Sequence, residues 1–146
     1  MNRREQLLQV LERDIQQDCV DYPGLHGLMQ DLYQQLLERN SAAIERINAQ
    51  INLVLEEVRA RTERRSKILA AFGLGTGAEA MKQAFLLFSD SRRKALQQQW
   101  QELAELVKQA KQLNERNGKL LAMHNDILNQ LLAADRDPQV YTPQYL

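Results

Sequence analysis

Between Leu96 and Leu131 one side of the chain is written in a strict alternation of spacings. Leu96, Trp100, Leu103, Val107, Ala110, Asn114, Asn117, Leu121, His124, Leu128 and Leu131 follow one another at 4, 3, 4, 3. Side chains at those spacings return to one face of an α-helix, so the segment presents a single long stripe. A stripe of this kind is stable only when other helices cover it, which makes the fold a matter of which helices do so. A second stripe lies upstream. Leu25, Met29, Leu32 and Leu36 open it, and Ile44, Ile47, Ile51, Val54 and Val58 continue it without Gly or Pro. Read as one helix over 25–72, it is about 70 Å long at 1.5 Å per residue.

The punctuation between these segments predicts the connections. A first helix over 2–20 carries Leu8, Leu11, Ile15 and Cys19 on one face, widened by Leu7, and is expected to stop at the turn-forming run Asp21-Tyr22-Pro23-Gly24. Gly73, Gly75 and Gly77 mark a turn. Thr76 stands three residues before Glu79, the spacing of a capping box that opens a helix. Ala80, Ala84, Leu87 and Phe88 give that helix an apolar side. Ser89-Asp90-Ser91 offers a break and a cap before the last helix, although Arg92, Arg93 and Lys94 then occupy a first turn where the helix dipole disfavours cations. One continuous helix from Ala78 is the alternative. Beyond residue 134 the polar stretch 135–146, with Pro138 and Pro143, is expected to be extended or disordered. The resulting expectation is all-α: an elongated antiparallel coiled-coil bundle of three to four helices with a long helical hairpin, one domain over 1–134 and a tail over 135–146.

Function classes narrow on charge and chemistry. Acidic and basic side chains balance at 19 each, without the basic surplus that neutralises nucleic-acid phosphates. No apolar run is long enough for membrane insertion, and the start of the chain has no signal-peptide centre. Cys19 has no second cysteine to pair with. These features fit a cytoplasmic protein. His26, His124 and Cys19 form no metal-ligand spacing, so neither a metal nor another cofactor is expected. The glycines follow a helix rather than a strand and lack the Gly-Lys-Ser/Thr of a phosphate loop. Arg59, Arg61, Arg64, Arg65 and Lys67 read as a solvated helix face, with an acidic partner as the other reading; Glu57–Arg61 and Glu63–Lys67 have the spacing of favourable pairs. A protein that holds another protein, rather than an enzyme, is the expectation.

Polar residues inside the last stripe sharpen it. Asn114, Asn117 and His124 occupy stripe positions, and Gly118 costs up to about 1 kcal/mol in a helix relative to Ala. Either the asparagines fix register, or they and the glycine receive a visiting helix. The run Leu113-Asn114-Glu115-Arg116-Asn117-Gly118-Lys119-Leu120-Leu121 resembles the Leu-Asn-x-x-Asn-Gly-x-Leu-Leu signature of the FlgN family. The layout of leading helix, long heptad helix, signature, apolar helix and tyrosine-containing tail is similar as well.

The resemblance implies a chaperone of flagellar type III export that binds the C-terminal amphipathic segments of the hook-filament junction proteins FlgK and FlgL and delivers them to the export gate. It places cargo binding between Leu113 and Leu132, which here means Leu113, Asn114, Asn117, Gly118, Leu120, Leu121, His124, Ile127, Leu128, Leu131 and Leu132. It also links a tail tyrosine, Tyr141, to docking on the export gate. Family tails read Tyr-Gly-x-Asp-Gly, and Tyr141-Thr142-Pro143-Gln144 departs from that. A structural coiled-coil adaptor or self-assembling scaffold, a homo-oligomer without cargo, is the alternative.

Overall fold

A computed structural model describes residues 1–136; the side chains of residue 128 and of residues 134–136 are outside the description. The chain is all-α: α1 Arg3–Glu38, α2 Ser41–Ala71, α3 Ala78–Phe85 and α4 Asp90–Arg136, with no strand among the described residues.

The expected turn at 21–24 does not form. α1 runs straight through it for 36 residues, with Pro23 inside the helix. Pro23, Gly24 and Gly27 are all exposed, while Leu25 and Met29 on the other side are buried. The breakers therefore lie on the solvated face, and burial of the opposite face overrides their propensity. A Cβ added at Gly24 or Gly27 meets nothing within 4 Å. Gly24→Ala and Gly27→Ala are each expected to raise stability by up to about 1 kcal/mol in urea unfolding, since the helix gains and nothing clashes.

The break falls instead at Arg39 and Asn40, inside the segment expected to be one helix. Arg39 is left-handed at φ 56°, and its N–H bonds the Leu36 carbonyl at 3.2 Å while the Asn40 N–H reaches the Gln35 carbonyl at 3.1 Å. These two bonds close α1 as a Schellman motif. The Asn40 side chain then accepts from the Ala43 N–H and opens α2. At the other end of α2 the glycine turn is as expected, with Gly73, Gly75 and Gly77 all at positive φ. The Thr76 capping box is not made: Gly77 precedes α3 without a side-chain cap. α4 begins at Asp90, so the break near 89 is real, and it reaches Arg136, slightly past the expected end.

The basic first turn of α4 has a structural use. Arg93 donates to the carbonyls of Phe85, Leu86 and Phe88 around the end of α3, where the Phe85 carbonyl also accepts from the Phe88 N–H. Arg92 pairs with Glu12 at 2.7 Å and lies over the Phe88 ring.

α1 is the central helix. It packs antiparallel to α2 through the short 39–40 connection and parallel to α4, as Glu12–Arg92 and Met29–Asn117 contacts at matching ends require. α2 and α4 run antiparallel; among the described residues none of their Cα atoms come within 8 Å, and they meet through side chains such as Arg65 and Trp100. The long pair joined through the glycine turn thus meets through side chains, while α1 packs on both.

Two apolar clusters fill the interior. One, at the α3 end, gathers Leu8, Leu11, Ile15, Ile68, Leu69, Phe85, Phe88 and Leu96. The other, toward the 39–40 turn, gathers Leu25, Met29, Leu32, Leu36, Ile47, Ile51 and Ala110. Between them sits an ionic layer. Asp18 accepts from Arg61 and Arg65, Asp21 from Arg61, and Asp14 from both Nε and Nη2 of Arg64. Arg65 also lies 5.1 Å from the Trp100 ring centroid. The basic run is therefore only partly solvated: Arg61 and Arg65 are buried, while Arg59 and Lys67 are exposed. Arg61 turns to α1 for its partners because three aspartates at helical spacing face it there, and buried guanidinium groups need carboxylates.

Candidate functional site: the groove at the end of the fourth helix

α4 outruns the helices it packs on. Asn117 is level with Met29, so the last residue of α1, Glu38, lies near Asp126 and the rest of α4 continues past it. At this end the 39–40 turn and the first turn of α2 face the last third of α4. Leu36, Arg39, Ser41, Ile44 and Glu45 stand on one wall, and Leu121, His124, Asn125, Ile127 and Leu131 on the other, around a groove of about 430 Å³. Four of the expected binding residues, Leu121, His124, Ile127 and Leu131, thus meet in one place. Leu131 is 61 % exposed and Leu132 53 %, and Met123 adds a further exposed apolar side chain. Leu128 lies on the same helix, but its side chain is outside the description.

The signature residues upstream divide between two faces. Leu113 and Leu120 are half-buried and pack against the second cluster, and Asn117 is buried between them. Asn117 donates through Nδ2 to the Met29 carbonyl at 2.9 Å. Arg116 beside it donates to Gln30 and lies 3.7 Å over the Tyr33 ring. This half of the signature clamps α4 to α1, the register-fixing option for Asn117. Asn114, expected in the stripe, is exposed, and Leu113 takes the inward place beside it. The physical reason is that Leu113, Asn117 and Leu120 share a face at spacings of 4 and 3, and leucine is cheaper to bury than a second amide. Gly118 is exposed as well, with nothing within 4 Å of an added Cβ, so no backbone of its own chain requires it.

Asn114, Gly118 and Leu121 recur at spacings of 4 and 3, so they form a second, outward line leading into the groove. The walls of that groove were not legible from the stripe alone. Leu36, Arg39 and Ile44 join the site only because the chain turns at 39–40, and the Asn40 cap is the one sequence signal of that turn.

The remaining reactive groups stand apart. His26 is 3.4 Å from Gln30 along α1. Cys19 donates to the Gln99 carbonyl at 3.6 Å, and burial, with Glu102 and Asp18 nearby, pushes its thiol up, away from the nucleophilic thiolate. Among the described residues, no three His, Cys, Asp or Glu side chains come together to hold a metal ion. No helix of the described residues is long and apolar enough to cross a membrane. Tyr141 lies outside the described residues.

Comparison with known families gives the decisive observation: the model of the FlgN protein family matches residues 1–139, nearly the whole chain. The chain belongs to the FlgN family. FlgN proteins serve flagellum assembly as export chaperones, and they bind hook-associated proteins of the flagellum in general. No curated protein and no solved structure matches this FlgN chain. The family match covers all four helices, so the signature in α4, the ionic layer and the groove lie within one FlgN protein.

Proposed function

We propose that this FlgN protein binds the C-terminal amphipathic segments of the junction proteins FlgK and FlgL in the groove at the end of α4 and delivers them to the flagellar export apparatus. The observation that supports this most is the apolar face of α4 at Leu121, Ile127, Leu131 and Leu132, exposed along the end of α1 and past it, and facing a second wall from the 39–40 turn. An amphipathic helix buries its apolar side by lying in such a groove, with anchors at one-turn spacing. Asn114 and Gly118 extend the path upstream, where the missing side chain of Gly118 admits a partner helix close to the α4 backbone. His124 and Arg39 place polar groups at the rim, and these orient a bound segment more than they hold it. Leu113, Leu120 and Asn117 act in this reading from behind, by fixing α4 against α1. Tyr141, in the tail, is assigned to docking on the export gate; Tyr141→Ala is expected to weaken binding to the cytosolic part of the gate without weakening cargo binding.

Co-purification from flagellated cells tests the reading. Tagged chain is expected to retain FlgK and FlgL, and to lose them when their C-terminal segments are deleted. Recovery of the tagged chain with only further copies of itself would favour the scaffold instead.

A further inference from the structure

The groove has an occupant within reach on its own chain. α4 reaches Arg136, five residues past Leu131 on the groove wall, and residues 137–146 follow directly. Ten residues of extended chain span at most about 35 Å, whereas Leu121 to Leu131 covers about 15 Å of helix, so the segment can turn back along the whole groove. Its chemistry suits an apolar cleft: Val140, Tyr141, Tyr145 and Leu146 supply large apolar side chains, and Pro138 and Pro143 oppose a continuation of α4. Tyrosine in particular buries a large ring with few rotatable bonds to freeze. A groove of about 430 Å³ holds a few such side chains. Tethering through a short connection gives an effective concentration on the order of millimolar, so even a weak intrinsic contact is populated.

We propose that residues 137–146 seat in the groove between α4 and the 39–40 turn when no partner fills it, and that a partner segment must displace them to bind. This regulates the site assigned above and rests on that reading for its second half only. The tail lowers the affinity of the groove by the fraction of molecules in which it is seated, and it shields Leu121, Ile127 and Leu131 until a competing helix arrives.

Two measurements on the full chain test it. With a benzophenone amino acid in place of Tyr141, ultraviolet crosslinking is expected to give an intramolecular product mapping to residues 36–45 or 121–131. Crosslinks to other surfaces, or only between two copies, would overturn the proposal. In the second, a fluorescein-labelled amphipathic model helix of leucine and glutamine is titrated against the full chain, the chain ending at Arg136, and the full chain with Tyr141→Asp and Tyr145→Asp. Both altered forms are expected to bind about tenfold more tightly than the full chain, as release from about 90 % self-occupancy requires. Equal affinity of all three would overturn the proposal. If the model helix binds none of them while the crosslink maps to the groove, the seated tail stands and the cargo-groove reading fails.

Discussion

Ile127→Asp combined with Leu131→Asp is expected to weaken binding of FlgK and FlgL C-terminal segments by about a hundredfold or more, close to 3 kcal/mol. Both side chains line the groove, and both are partly exposed in the free protein. Their replacement therefore leaves the free chain folded but forces a bound segment to bury two carboxylates against its apolar side. Helical circular dichroism and the unfolding midpoint should stay within a few degrees of the parent chain. A folded double variant that binds as tightly as the parent would move the cargo surface away from this groove.

The second large effect belongs to stability. Asp18 is 2 % exposed and serves Arg61 and Arg65 at once. Asp18→Ala leaves Arg65 with no carboxylate and Arg61 with Asp21 alone. Stranding a buried cation costs about 3–5 kcal/mol, a large part of the roughly 5–15 kcal/mol that holds a domain of this kind together. Urea unfolding followed by helical signal should show the loss directly. The triple variant Asp18→Leu, Arg61→Met, Arg65→Met is expected to regain most of it, because the layer then joins the two apolar clusters that flank it. Asp14 keeps Arg64 in that variant, and half-buried Asp21 keeps access to water. A triple variant as unstable as Asp18→Ala would mean that the ions contribute more than their mutual neutralisation.

Much of this architecture is legible in the residues. The heptad stripes announce long helices, the three glycines announce the turn before α3, and Ser89-Asp90 announces the start of α4. What misleads is local propensity without tertiary context. Pro23-Gly24 has the composition of a turn, yet it lies on the dry side's opposite face of a helix that Leu25, Met29 and Asp18 tie down. Arg39-Asn40 has neither Gly nor Pro, yet a left-handed arginine and an asparagine cap stop one helix and start the next. Those two exchanges move the first connection by about 17 residues along the chain and make α1 the helix on which α2 and α4 both pack. The arginine run shows the same limit from the electrostatic side: Arg61 and Arg65 find their carboxylates 40 to 47 residues away, a distance that no i,i+4 reading reaches.

For the site, periodicity found one wall and missed the other. Leu121, His124 and Leu131 follow from the stripe, Ile127 from the region that the family resemblance implies, and all four share the groove. The signature itself mixes two tasks that sequence spacing does not separate. Asn117 turns inward to the Met29 carbonyl, whereas Asn114 and Gly118, in the same nine residues, turn outward.

Amide hydrogen exchange of the chain with and without the C-terminal segment of FlgK tests the central claim most directly. The account expects new protection concentrated in residues 121–132 and at the facing 36–45 turn, with little change around α3 and the ionic layer. Protection confined to the α3 end, or none at 121–132 under saturating segment, would contradict it.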